Sequence, residues 1–245
     1  MLPTIISYAN NGYRDFSENL LRNIRDVIRN HNTVFYCLDS ALYTALMPYS
    51  SDRVEIRLYT QDVASTVSTY GTTSFNRLTH TKISVLRDAL RRFGFIHFVD
   101  ADVVFCKEPT VDYYSKYMNY DIVYQRDAPP PNAPFHVWTC TGNFTLRNTG
   151  GTLKLLKDVE DIQDVHPEQN DQDCQRLLFE TSGITDIRNY PHASLTEFPM
   201  QDFTCGYAVL NPLVDIREIL VFHANHVVGK DAKITLLRRM GKWYA

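Results

Sequence analysis

The stretch Phe95-Ile-His-Phe-Val-Asp100-Ala-Asp102-Val-Val-Phe105 decides how this chain is read. Five mostly apolar residues run into Asp100 and Asp102 and three more follow, so two carboxylates interrupt an otherwise buried strand. Asp-x-Asp triplets are common in solvated turns and helix caps, but Phe98, Val99, Val103, Val104 and Phe105 leave little room for a surface loop. Side chains two apart on an extended chain point to the same side. Asp100 and Asp102 can therefore present several oxygens to one hard cation, and a divalent ion is the simplest compensation for their cost.

Upstream, strands alternate with helices. Thr4 to Tyr8 is a short apolar strand ending in the turn Ala9-Asn10-Asn11-Gly12. Phe16, Leu20, Leu21, Ile24, Val27 and Ile28 recur at helical spacing, which predicts a helix over Phe16 to Asn30. Thr33 to Leu38 reads as a strand, Ser40 to Met47 as a short helix stopped by Pro48, and Val54 to Tyr59 as a third strand. The polar Gln61 to Phe75 predicts a loop or short irregular helix, and Asn76 to Arg92 a longer helix stopped by Gly94. This alternation predicts an α/β fold with a parallel sheet covered on both faces. In such sheets ligands bind at the carboxyl ends of the strands, where Asp100 falls.

Downstream, Asp112 to Tyr117 predicts a short helix and Asp121 to Gln125 a strand. Arg126 to Trp138, with Pro129, Pro130, Pro131 and Pro134, predicts a loop suited to a lid or acceptor wall. Asn143 to Arg147 and Ile184 to Tyr190 read as strands, and Thr152 to Val159 and Asp171 to Glu180 as helices. The tail gives a strand at Ile219 to Phe222 and a helix at Ile234 to Met240. No repeat, low-complexity tract or linker intervenes. The expectation is one domain over residues 1–245, with a nucleotide-binding half (1–105) and an acceptor and sugar half (106–245).

Composition excludes several classes. The 245 residues are 44% hydrophobic and 22% charged, ordinary for a globular protein. Lys plus Arg (25) against Asp plus Glu (28) gives a net charge of -3, and without a basic run there is no nucleic-acid footprint. No apolar run is long enough to span a membrane, and Met1 to Asn11 lacks the pattern of a signal peptide. As written the chain reads as cytoplasmic, with a truncated lumenal domain as the alternative. The five cysteines are scattered and odd in number, which speaks against a disulfide framework or zinc cluster. The Asn143–Thr145 sequon lies in an expected buried stretch and is discounted as a glycosylation site.

With these motifs in view, the sequence resembles the nucleotide-diphospho-sugar transferases of the GT-A fold, most closely the group containing glycosyltransferase family 77. Leu78 to Leu90, with Lys82, is similar to the helix before that family's metal strand, and Val99 to Val104 to its Asp-x-Asp strand. Thr141 to Thr149 is similar to the segment after the acceptor loop, although Asn143 departs from the family pattern. Asn170-Asp171-Gln172 resembles the Asp-Gln motif, and His223-x-Asn225 with Gly229 and Lys233 the terminal His, Gly and Lys element. The resemblance implies a GT-A, Rossmann-like, mixed but mainly parallel sheet flanked by helices. The implied enzyme moves a sugar, with retention, from a nucleotide diphosphate, UDP being the expected carrier, to a hydroxyl of a glycan or glycoprotein.

The same resemblance implies site residues. Asp100, Asp102 and a tail imidazole form a mixed oxygen and nitrogen set suited to Mn2+ or Mg2+. Alignment on Asn225 favours His223 as that imidazole, and the tighter His-x-x-Gly spacing of related retaining enzymes favours His226. Tyr8, Ala9, Asn10 and Tyr13 would meet the base. Lys82, Ala101, Gly142, Asn143, Asn225, Gly229, Lys230 and Lys233 would line the donor, and Asp171 and Gln172 would face its sugar with a catalytic role. The bland readings are helix capping for Asp171, a solvated helix face for Arg77 and Lys82, and a solvated helix start for Lys230. Two other functions compete: a non-catalytic nucleotide-sugar or glycan-binding module, and a haloacid-dehalogenase-like phosphatase, whose nucleophile strand also reads apolar-Asp-x-Asp.

Overall fold

Short apolar runs make the strands of the first half: β1 (Thr4–Ala9), β2 (Thr33–Cys37), β3 (Val54–Leu58), β4 (Phe95–Val99) and β5 (Val103–Phe105). The second half adds β6 (Ile122–Arg126), β7 (Thr139–Arg147), β8 (Leu195–Glu197), β9 (Phe203–Cys205) and β10 (Val221–His223). The structure, a computed structural model, describes residues 1–60, 65–127 and 137–244. A seven-stranded sheet runs in the order β3-β2-β1-β4-β7-β6-β8. Its neighbours pair in parallel except where β7 meets β4 and β6. This is the expected mixed, mainly parallel α/β sheet. The order reverses between β1 and β4, and such a switch point opens a crevice at the carboxyl ends of the strands.

The helices are α1 (Arg14–Val27), α2 (Ser40–Leu46), α3 (Thr73–Phe93), α4 (Val111–Ser115), α5 (Gly150–Val165), α6 (Asp171–Thr181), α7 (Gly206–Leu210) and α8 (Lys230–Arg239). One face of the sheet packs Ile6, Ile96, Phe98 and Leu146 against α3 and α5, through Leu86, Leu90 and Leu155. The other packs Ile5, Phe35 and Val99 against Leu20 and Ile24 of α1. Burying each such side chain stabilises the fold by about 1.5–3 kcal/mol. The tail returns to α1: Asn19 Nδ2 donates to Lys242 O, Tyr244 N donates to Asn19 Oδ1, and Trp243 packs edge-on against Phe16.

Several expected elements move. Phe95 to Phe105 is two strands, because Asp100 to Asp102 is a turn closed by Val103 N donating to Asp100 O at 3.0 Å. β4 stays in the large sheet while β5 joins a second sheet, β5-β10-β9. The carboxylates thus converge through a turn and not through strand alternation. Ile184 to Tyr190 holds only a 3-10 turn at Ile187–Asn189, and the edge strand of this region is β8, a few residues later. Only Leu195 of β8 is buried, so three residues with no long apolar run gave little to read. β9 and α7 were likewise not expected. α8 begins at Lys230 rather than Ile234, since Gly229, at φ 93°, makes the turn into it. The proline-rich lid, and residues 61–64 of the expected loop, lie outside the described residues.

Candidate metal and donor site

β4 leads straight into Asp100, and β10, paired antiparallel to β5, puts His223 opposite Val103. This register brings the tail to the acidic turn. Ligand atoms of Asp100, Asp102 and His223 all lie within 4.8 Å of one another. His223 Nε2 is 3.2 Å from Asp102 Oδ1. A Cβ on Gly142 would come to 2.4 Å of both Asp100 Oδ2 and His223 Cε1, so a glycine is what lets these groups close up. Two carboxylates and an imidazole are a donor set that fits manganese or a similar divalent ion. His226, by contrast, is exposed, sits at φ 67° and stacks edge-on against Tyr207.

β7 shapes the site through a bulge. Tyr124 pairs with Phe144 but the next residue, Gln125, pairs with Cys140, so Thr141 to Asn143 have no partner on β6. The freed backbone serves the site: Gly142 O accepts from Asp100 N at 2.7 Å, and Thr141 O accepts from Lys82 Nζ at 2.7 Å. Thr141 N donates to Gln172 Oε1 at 3.2 Å.

Lys82 lies on the buried stripe of α3 and is only 4% exposed, whereas Arg77 on the same helix is exposed. Its ammonium stands 2.6 Å from Asp171 Oδ2 and 3.4 Å from Asp100 Oδ1. The first contact is a charge pair without hydrogen-bond alignment. Burial alone would lower the Lys82 pKa, but Asp100 and Asp171 outweigh it and hold it above the usual lysine value. Asn170 caps α6 by accepting from Asp173 N at 3.0 Å, so Asp171 is not the cap and its carboxylate is left for Lys82. On Asp102, burial works against the charge, yet Lys233 and His223 hold its carboxyl well below the usual range. Lys233 Nζ donates directly to Asp102 Oδ2. His223 is raised well above the usual imidazole value because Asp102 and Cys140 outweigh burial.

The other expected site residues each have partners of their own. Asn143 is fully buried, its amide held between His97 Nε2 at 2.7 Å and Gln125 Oε1 at 2.8 Å, away from the carboxylates. Lys230 pairs with Asp15 at 2.7 Å. Asn225 Oδ1 accepts from Gly206 N at 2.9 Å, and its amide donates to Asp127 Oδ1 at 3.1 Å. Tyr8 OH donates to Leu78 O, Asn10 Nδ2 to Thr66 O and Tyr13 OH to Ser68 O, so the end of β1 faces the 66–68 segment. Ala9 is buried in the core beside them, and Ala101 sits in the acidic turn.

Three residues of the site were not anticipated. Asp127 ties Gln172 Nε2 (3.1 Å) to Asn225, Thr141 supplies the bulge contacts, and Cys140 Sγ lies 3.3 Å from His223 Nδ1. The one signal for them in the sequence is Gly142, since glycine inside a strand often marks a bulge.

The chain belongs to the nucleotide-diphospho-sugar transferase family, which it matches over residues 30–237. It is 22% identical to the UDP-galactose:fucoside alpha-3-galactosyltransferase of Dictyostelium discoideum, over 98% of this chain but 43% of that protein, so it spans under half its relative's length. Two solved structures share the fold. The glycosyltransferase GlyE of Streptococcus pneumoniae superposes with a TM-score of 0.59 at 9% identity, covering 98% of this chain and 61% of that one. The galactosyltransferase LgtC, solved with donor and acceptor sugar analogues, gives 0.55 at 11% identity, covering 99% and 96%. No helix among the described residues is long and apolar enough to cross a membrane.

Proposed function

We propose that the protein is a divalent-metal-dependent glycosyltransferase that moves a sugar from a UDP-sugar to a hydroxyl of a glycan or glycoprotein, with retention at the anomeric carbon. The observation that carries this reading is the convergence of Asp100, Asp102 and His223 beside the buried Lys82–Asp171 pair. In this reading Asp100, Asp102 and His223 would hold a manganese or magnesium ion, which would supply Lewis acidity to the departing diphosphate. Lys233 adds a second positive charge at the same oxygens. Lys82 pairs with Asp171 in a buried niche, where the carboxylate would stabilise positive charge developing at the anomeric carbon. Gln172, fixed by Thr141 and Asp127, keeps a lone pair and an N–H for the sugar hydroxyls. Tyr8, Ala9, Asn10 and Tyr13 are assigned to the base, and Ala101, Gly142 and Gly229 to close backbone approach.

The relative's name makes UDP-galactose and a fucoside the first donor and acceptor to test. Nucleotide sugars are incubated with the protein with and without manganese, nucleotide release and product mass are followed, and the product anomer is read by NMR. Manganese-dependent transfer supports the reading. No consumption of any nucleotide sugar, with donor binding retained, would leave a non-catalytic binding module, and an inverted product would remove the retaining assignment.

A further inference from the structure

Asp127 stands one residue past β6, and its backbone N donates to Trp138 O at 2.8 Å, so the pairing of β6 with β7 fixes where its side chain projects. The carboxylate is 8% exposed and meets two amides from distant parts of the chain, Gln172 Nε2 on α6 and Asn225 Nδ2 in the tail, each at 3.1 Å. Neither amide can turn round without loss. Gln172 Oε1 accepts from the backbone N of Thr141 at 3.2 Å, and Asn225 Oδ1 accepts from that of Gly206 at 2.9 Å. An amide whose oxygen faces an N–H offers its NH2 on the other side, so both amides present donors to the same residue. The group between them must accept twice, which a carboxylate does and the amide of an asparagine does not. The tail end is tightly built as well. His223 pairs with Cys205 across β10 and β9, and a Cβ on Gly206 would come within 2.2 Å of Asn225 O, so the residue two past His223 is pressed against the start of α7.

We propose that Asp127 is a positioning residue that locks the tail to α6: by accepting from Asn225 and Gln172 at once, it ties the segment that carries His223 to the amide assigned to the donor sugar, and fixes which end of Gln172 that sugar meets. The inference rests on the glycosyltransferase reading above and makes two of its contacts interdependent. A shift of the tail is passed through Asp127 to Gln172, and a misplacement of about 1 Å at a reacting centre can cost about 100-fold in rate.

Exchanging the two side chains tests it. Asp127→Asn turns an NH2 toward one of the facing NH2 groups, and Asn225→Asp sets two carboxylates face to face. With both substitutions donor and acceptor change places at constant net charge: the new amide accepts from Gln172 and donates to the new carboxylate, whose other oxygen keeps Gly206 N. Each single variant should lower turnover at saturating donor roughly 10-fold or more, and the double variant should be at least roughly 5-fold faster than either, with melting temperatures not following that order. In metal-free protein, hydrogen exchange of the Gln172 and Asn225 side-chain NH2 groups, followed by 15N NMR, should speed up roughly 10-fold or more at both residues in Asp127→Asn. Unchanged turnover in Asp127→Asn, a double variant no faster than the singles, or faster exchange at one amide alone overturns the proposal. A single variant that does not fold beside a double variant that does is the same rescue read in stability, and failure of both to fold counts against the lock. Absence of transfer by the wild type would instead sink the glycosyltransferase reading, while the exchange measurement would still judge Asp127.

Discussion

His97 and His223 lie in neighbouring layers of the same molecule, 0% and 4% exposed, and their surroundings drive them in opposite directions. His97 meets only neutral partners, Tyr114 OH at Nδ1 and Asn143 Oδ1 at Nε2. Burial then dominates and pushes its pKa down to about 3. His223 meets Asp102 on one side and a sulfur on the other, and its pKa rises. Burial therefore does not separate these two histidines; the charge of their partners does. Asn143 belongs to the neutral region, although its motif suggested the charged one.

The largest effect that would sharpen this contrast is at Lys82. Lys82→Met leaves Asp171 buried without its counter-charge, and an expected loss of about 3–5 kcal/mol appears in denaturant unfolding. Adding Asp171→Leu should recover at least half of that stability while restoring no turnover. A single variant as stable as the wild type would show that the pair is not a buried charge pair at all.

Next is Asp102→Asn. Metal-dependent turnover should fall at least 100-fold, about 2.7 kcal/mol of transition-state stabilisation. Retained turnover would move the ion elsewhere.

The neutral region is probed by pH. Between its folded value of about 3 and its ordinary value of 6.5, the unfolded chain carries a proton on His97 that the folded chain does not. Stability from this group is thus present above pH 6.5 and is lost as pH falls toward 3, at up to about 1.4 kcal/mol per unit. From pH 6 to 4.5 the wild type should lose about 2 kcal/mol more than His97→Gln. Parallel pH curves for the two proteins would mean that His97 takes up a proton without unfolding.

The smallest effect is expected at His226, where alanine should leave manganese affinity within roughly 2-fold, against a loss of 10-fold or more for His223→Ala. The reverse ranking would give the metal position to the exposed ring.

Much of this was legible. The Asp-x-Asp stretch, the strand and helix alternation and the Gly94 stop carry strong local signals. Lys82 was legible only through the family resemblance, since a lysine on an amphipathic helix otherwise reads as facing water. Three short elements escaped because β8, β9 and α7 are held by pairing and packing rather than by their own periodicity. The partner of each polar group was equally hidden. Nothing in the residues near Asn143 says that His97 and Gln125 will take its amide, or that Asn170 rather than Asp171 will cap α6, because those outcomes depend on register across strands and helices.

The fastening of the tail to α1 has a consequence for the order of events during folding. Asn19 reaches Lys242 across 223 positions of sequence, and the strand carrying His223 is threaded between β5 and β9. Closing so long a loop is entropically slow compared with pairing β1 to β2 or forming α3. The acidic turn therefore exists first as a pair of carboxylates with Lys82 as their nearby cation, and His223 and Lys233 reach it last. In refolding, far-UV circular dichroism should recover before manganese binding does, and simultaneous recovery would show that the tail docks with the sheet in a single step.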